Sequence, residues 1–378
     1  MAMIENREYE ATDGCVPGGR EAVQSPGRKN TLLSHFFVQN YMIMIMIDLR
    51  HGVTADDLLM TGGIEQNEAA TTSKSLDSLR HAFDEDGFVI FPRAISLPVV
   101  QTLQQRLEDV LRGRYDRGTP PDKAPSLIVD STKGGRRKLH PLGFDGTCGN
   151  LRVLQIINVH KCDNEFYKLA TQQEIGETVA KLAGWEHGAR LAQDQVWAKP
   201  PGSPPLVFHR DSPYFMFTPD DVVTVWIALD DMAEELGPLE YVRHSHLWGD
   251  GRVGSSSSFF QSDCRALLYS AATRQGITDP ENSLEIISLT GLHAGGLSIH
   301  HGKTWHGSQK NGSADRPRRG IGLHFVPAEV SFKKEDARKS KLWRKYVPDD
   351  TDDNSITINV RDIDFPLVWT PKMRRQKS

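Results

Sequence analysis

The feature that most limits what this chain can fold into is a change of period near residue 185. Apolar residues recur at helical spacing before that point and in short runs after it. Leu76, Leu79 and Phe83 mark a first helical face, and Leu103, Leu107, Val110 and Leu111 a second. Phe166, Leu169, Ile175, Val179 and Leu182 mark a third, read as one helix over 164–182. Strands are expected in this half at 88–91 and 153–159, and the Met-Ile alternation at 42–47 reads as either one strand or a poorly ordered, sticky segment. Beyond 185 the runs at 189–198, 222–229, 239–242, 297–301 and 320–326 are short and divided by Pro, Gly and Asp turns. Runs of that kind build a sandwich or barrel, not a parallel sheet with crossover helices. The expected fold class is an all-β core with flanking helices, an α+β arrangement.

Residues 1–72 hold no sustained period and carry Pro17, Gly18-Gly19, Pro26 and Gly62-Gly63, which suits a largely disordered or loosely attached extension. A single domain is expected over 73–378, with a helical part at 73–185, the strand core at 186–327 and a C-terminal extension at 328–378. The insert at 248–289, with a helix expected near Cys264, is either a substrate lid or plain decoration.

Charge narrows the partners. A net charge of −4 with no basic stripe leaves no footprint for nucleic acid, so a small-molecule substrate is expected. Cys15, Cys148, Cys162 and Cys264 show no C-x-x-C spacing, which argues against a disulfide framework or structural zinc. The first residues lack the order of a secretory signal, and the apolar stretch at 36–47 is too short to span a bilayer. Cytoplasmic localisation without stable membrane insertion is the expectation, and the oligomeric state is left open.

The chemistry gathers around His209-Arg210-Asp211. With 14 histidines and 49 acids in the chain, roughly two H-x-[DE] triplets arise by chance, so its context decides. The triplet follows Lys199-Pro200-Pro201-Gly202 and precedes Ser212-Pro213-Tyr214, a turn entering a strand, where alternation puts His209 and Asp211 on one face. The bland alternative is a hydrogen-bonded pair in a loop. A third ligand comes from among His293, His300, His301, His306 and His324. Of these His306 opens His-Gly-Ser and is followed by Arg318-Arg319. Two imidazoles and one carboxylate hold iron(II) on one face and leave the other open. An arginine fork pairs bidentately with a dicarboxylate, to which Ser308 adds a hydroxyl.

Several further segments keep the same order and interval as in a known family. They are Gln193-Asp194-Gln195-Val196-Trp197-Ala198-Lys199-Pro200-Pro201-Gly202, Val225-Trp226-Ile227-Ala228-Leu229-Asp230-Asp231, Gly237-Pro238-Leu239-Glu240 with Ser245-His246, and Ile299-His300-His301-Gly302. With the two histidine motifs they make residues 76–327 resemble the phytanoyl-CoA dioxygenase family of iron(II)- and 2-oxoglutarate-dependent oxygenases. The resemblance implies a double-stranded β-helix, the cupin-like jelly roll, with iron(II) on His209, Asp211 and His306. It also implies 2-oxoglutarate on Arg318 and Ser308, with Arg316 and Arg319 as nearby competitors, and with Gln193, Gln195 and Trp226 beside it. Tyr214 and Lys199 are expected at the substrate pocket. Two departures stand out: Val242-Arg243-His244-Ser245-His246 replaces the family's Pro-Gly-Ser-His, and the interval from His306 to Arg318 is one residue longer than usual.

The implied reaction consumes oxygen and 2-oxoglutarate, releases succinate and carbon dioxide, and oxidises a C–H bond, with hydroxylation favoured over halogenation because Asp211 is intact. Desaturation, cyclisation and epimerisation share the oxidant. The rivals are a jelly-roll module that binds without turnover and a cupin-type enzyme that needs no 2-oxoglutarate. Features set lower are the basic loop Arg136-Arg137-Lys138, read as a solvated surface loop more than a thioester contact, and the acidic run 349–353, read as a flexible turn. The mixed-charge run 333–339 reads as an exposed helix. His300, His301 and His324 are read as structural or supporting imidazoles, with His301 the alternative to His306.

Overall fold

The computed structural model describes residues 76–124, 153–249, 263–348 and 355–373, with Leu142 and the backbone of 128–130 and 137–139. The extension 1–72, the side chains of the basic loop 136–138, the acidic run 349–353, Cys15, Cys148 and residues 250–262 of the insert lie outside the described residues. In chain order the helices are α1 (Leu76–Asp86), α2 (Leu97–Leu111), α3 (Asn164–Ala170), α4 (Gln173–Ala183), α5 (Ala266–Arg274), α6 (Pro280–Ser283) and α7 (Lys334–Lys339). The first strands are β1 (Phe88–Phe91), β2 (Ile128–Asp130), β3 (Arg137–Leu139), β4 (Leu154–Ile157), β5 (Ala189–Lys199), β6 (Leu206–His209), β7 (Phe217–Thr218) and β8 (Val223–Ala228). They continue as β9 (Leu239–Val242), β10 (Ile286–Ser288), β11 (Leu297–His301), β12 (His306–Ser308), β13 (Arg318–Pro327), β14 (Ser331–Lys333), β15 (Thr357–Asn359) and β16 (Leu367–Trp369).

From β5 onward the chain passes back and forth between two antiparallel sheets. The larger runs β1-β11-β8-β13-β5, with β4 and β16 paired to opposite ends of the outer edge of β5; the smaller runs β10-β9-β12-β6. This is the double-stranded β-helix, and its cavity is lined from both sheets. Alternation explains why the larger sheet is apolar on one face and polar on the other. Val223, Val225 and Ile227 of β8 and Ile321, Leu323 and Phe325 of β13 pack with Leu103, Leu107, Val110, Val179 and Leu182 of the helices. Thr224, Trp226, Gly322 and His324, between them in sequence, face the cavity.

The expectations at 164–182, 153–159 and 333–339 need correction. The helix over 164–182 is two helices, because the step from Leu169 to Ile175 is out of phase with a 3.6-residue period. The chain breaks at Thr171, whose hydroxyl returns to the Tyr167 carbonyl at 2.8 Å. The strand at 153–159 stops at Ile157, since Asn158 turns left-handed at φ 58° and its amide donates to Asp122 at 2.6 Å. The C-terminal extension 328–378 packs onto the strand core, with β16 paired to β5. Phe332, Trp343, Val347 and Phe365 form a second core with Phe215, Phe217 and Val326. The run at 333–339, read as an exposed helix, does form α7, but it buries Lys334 and Ala337. Among the described residues no helix is long and apolar enough to cross a membrane.

Candidate active site

The triplet lies where a strand ends, not where one begins. β6 stops at His209, and Asp211 has helical dihedrals (φ −79°, ψ −45°), so strand alternation does not place its carboxylate. The Gly302 carbonyl does, accepting from the amides of Asp211 at 2.8 Å and Ser212 at 2.9 Å. Only glycine permits that approach: a Cβ on residue 302 meets Ser212 Oγ at 2.5 Å and Val222 Cβ at 2.8 Å. His306 opens β12 and pairs in register with His209 of β6, so the two rings stand 4.3 Å apart. The donor atoms of His209, Asp211 and His306 all lie within 4.8 Å of one another, and all three residues are buried.

Their orientation is set by what surrounds them. His209 Nδ1 lies 2.9 Å from the Val207 carbonyl and His306 Nδ1 lies 3.0 Å from the Thr304 carbonyl. A carbonyl only accepts, so each Nδ1 carries the hydrogen and each Nε2 keeps its lone pair for the cluster. Both Nε2 atoms face Asp211 Oδ1, at 3.8 and 3.7 Å. Burial pulls both imidazoles down to about 4, which keeps them neutral. Asp211 Oδ2 is held from behind by the Thr224 hydroxyl at 2.6 Å and His300 Nε2 at 3.1 Å. Burial alone raises a carboxyl, but His306, the His300 hydrogen bond and His324 hold Asp211 well below its ordinary range. Two neutral imidazoles and an ionised carboxylate, all desolvated and aimed at one point, suit a divalent transition metal.

The cavity that opens from this cluster has a volume of about 820 Å³. Arg318 lies in its wall, 2% exposed, with Nη2 2.9 Å from Ser308 Oγ and its Cζ 5.8 Å from the Trp226 ring centre. Burial draws its pKa down to about 10, which leaves it charged. The competing arginines are engaged elsewhere. Arg319 closes on Asp230 at 2.5 Å, and exposed Arg316 pairs with Glu235. Gln193, Gln195, Trp226 and Tyr214 all line the cavity; burial and Asp211 push the Tyr214 phenol up to about 12. Lys199, the register partner of Arg318, reaches Ser308 Oγ at 3.2 Å and the Gln309 carbonyl and is not among the residues that line the cavity. Burial and Arg318 pull Lys199 down to about 6. His300 points inward, while His301 faces Asp221 and Phe83 outside the cluster.

Sequence reading missed three contributors. Thr224 had a signal, since it alternates with Trp226 on a strand already placed beside the site. The chain Lys123–Gln155–Gln195 had none, because strand β4 meets β5 only in the folded sheet. Ser340, Lys341, Leu342 and Trp343 also line the cavity, and only the packing of the C-terminal segment brings them there.

A jelly roll carrying two imidazoles and a carboxylate, with a buried arginine in the same cavity, defines the class of non-haem iron oxygenases. The chain belongs to the phytanoyl-CoA dioxygenase (PhyH) family, whose model matches residues 83–320. A probable alpha-ketoglutarate-dependent hypophosphite dioxygenase from Stutzerimonas stutzeri is 28% identical over 164 residues. That match covers 43% of this chain and 54% of the relative, so the chain spans about half the length of the curated relative it matches. Among solved structures, the epimerase SnoN in complex with Fe3+, alpha ketoglutarate and nogalamycin RO superposes with a TM-score of 0.54 at 19% identity, over 78% of this chain and 98% of its own. The carbocyclase SnoK from nogalamycin biosynthesis gives 0.50 at 20% identity, over 75% and 95%. At such identities the two share the fold.

Proposed function

We propose that the protein is an iron(II)- and 2-oxoglutarate-dependent dioxygenase that hydroxylates a C–H bond of a small organic molecule. The observation that carries this reading is the cluster of His209, Asp211 and His306 opening on the same cavity as the buried Arg318. Iron(II) held by those three residues supplies oxygen activation coupled to decarboxylation of 2-oxoglutarate to succinate. Arg318 holds the distal carboxylate of the co-substrate through its planar fork. Ser308 already accepts from both Arg318 and Lys199, so it fixes the fork and has only its own hydrogen left to offer. Trp226 walls the bound co-substrate, and Gln195 faces it from β5. The apolar walls of Phe215, Met216, Leu342 and Trp343 exclude water from the reacting centre.

The curated relative is named for hypophosphite, a small inorganic anion. A cavity of about 820 Å³ with aromatic walls suits a larger organic body. The intact Asp211 carboxylate favours hydroxylation over halogenation. A screen of organic compounds for stimulated succinate release tests the reading. Stimulation by at least one compound is expected, and inorganic hypophosphite as the sole stimulant contradicts the organic substrate.

Thr224 offers a second test. Thr224→Val keeps the shape and removes the hydroxyl that holds Asp211 Oδ2. Iron(II) affinity is expected to fall about 10- to 100-fold, measured by anaerobic titration. Unchanged affinity contradicts a positioning role.

A further inference from the structure

Register places four polar side chains in one row across the cavity face of the larger sheet. Gln193 of β5 pairs with His324 of β13, His324 with Thr224 of β8, and Thr224 with His300 of β11. The half of the row nearest Asp211 is closed by hydrogen bonds, through Thr224 and His300. The other half is not. His324 Nε2 and Gln193 Nε2 have no hydrogen-bond partner among the described residues, although the side chains are buried and both residues line the cavity. Buried polar atoms of a native fold are paired, so two adjacent orphans point to a missing ligand.

The sense of each orphan follows from its neighbours. Thr224 has one hydroxyl hydrogen and gives it to Asp211, so toward His324 Nδ1, at 2.8 Å, it accepts. The uncharged ring therefore carries its hydrogen at Nδ1 and an acceptor lone pair at Nε2. On the other side the order starts at the rim. Lys123 only donates, so Gln155 Oε1 accepts from it at 2.8 Å. Gln155 Nε2 then donates to Gln195 Oε1 at 2.7 Å, and Gln195 Nε2 to Gln193 Oε1 at 2.5 Å. The chain of amides thus ends on Gln193 with a free NH2.

A free donor thus stands beside a free acceptor on neighbouring strands. A carboxylate fills only the donor and an ammonium only the acceptor; a hydroxyl fills both. The pair is also clear of the co-substrate's anchor. Arg318, Gly320, Gly322 and His324 alternate along β13, which separates the Arg318 and His324 backbones by about 20 Å. Among the described cavity residues Asp211 is the only carboxylate, and it belongs to the metal cluster, so none is left over to recruit a cationic substrate. Resting on the oxygenase reading above, we infer that the substrate presents a hydroxyl to Gln193 and His324, which selects the molecule and the C–H bond turned toward the cluster.

The test uses cyclic and aromatic alcohols, each paired with its O-methyl ether. Each pair is measured by thermal melting of the metal-free protein and by stimulated succinate release with iron(II) and 2-oxoglutarate. The alcohol is expected to exceed its ether at least about tenfold, the scale of leaving a buried acceptor unpaired. His324→Phe is expected to bring that ratio near one, and His324→Gln, which keeps an acceptor oxygen, to retain a preference. Ethers that match their alcohols, the absence of any bound alcohol, or a preference that survives His324→Phe overturns the inference. Should the protein consume no 2-oxoglutarate, the oxygenase reading fails, and the melting comparison still decides the hydroxyl claim.

Discussion

Asp211→Ala is expected to abolish iron-dependent succinate formation and to weaken iron(II) binding by more than about 100-fold, since loss of supporting groups around a ligand alone costs 10- to 100-fold. Asp211 Oδ1 is the anionic donor that both His209 Nε2 and His306 Nε2 face. No other described cavity residue carries a carboxylate to replace it. The two imidazoles that remain are neutral, so the site loses the charge that favours a divalent cation. His209→Ala is expected to do the same by removing a ring already fixed by Val207. Circular dichroism separates this loss from unfolding. Undiminished turnover in either folded variant contradicts the assignment.

Arg318→Ala is expected to raise the KM for 2-oxoglutarate by about 10- to 150-fold, the equivalent of about 1.5–3 kcal/mol for a hydrogen bond to a charged group. The change in kcat is expected to be smaller, because the distal carboxylate takes no part in the bond changes. Arg318→Lys keeps the charge and loses the fork, so it is expected to fall between wild type and alanine. Arg319→Ala is the control. Its guanidinium and backbone amide both close on Asp230, so 2-oxoglutarate dependence is expected to change little. Steady-state kinetics in 2-oxoglutarate read all three, and a larger effect at Arg319 moves the role to that residue.

Much of the larger sheet was legible because the period of apolar residues changes near 185, whereas in the smaller sheet only β9 was expected, since β6, β10 and β12 are three or four residues long and too short to show a period. The helix break at Thr171 was written in the six-residue step between Leu169 and Ile175, though it was read as continuous. The C-terminal segment was not legible. Phe332, Trp343 and Phe365 are isolated in sequence, and only their packing with Phe215 and Phe217 makes a core of them. At the site, His209, Asp211, His306 and Arg318 were named from residue order and converge on one cavity. The reason given for Asp211 was wrong, since the Gly302 carbonyl and not strand alternation turns it inward. Arg318 was preferred from the sequence beside Ser308, but the partners that engage its competitors Arg316 and Arg319, Glu235 and Asp230, are distant in sequence. The row of Gln193, His324, Thr224 and His300 depends on register between four strands, which no local pattern specifies.

The most direct test of the central claim is release of labelled carbon dioxide from 2-oxoglutarate labelled at its C1 carboxylate. With iron(II) and oxygen present, the folded protein is expected to release label in step with succinate. Removal of either iron or oxygen is expected to stop it. Absence of release from metal-loaded protein across the substrate screen, or release that persists after the metal is chelated, contradicts an iron- and 2-oxoglutarate-dependent oxygenase.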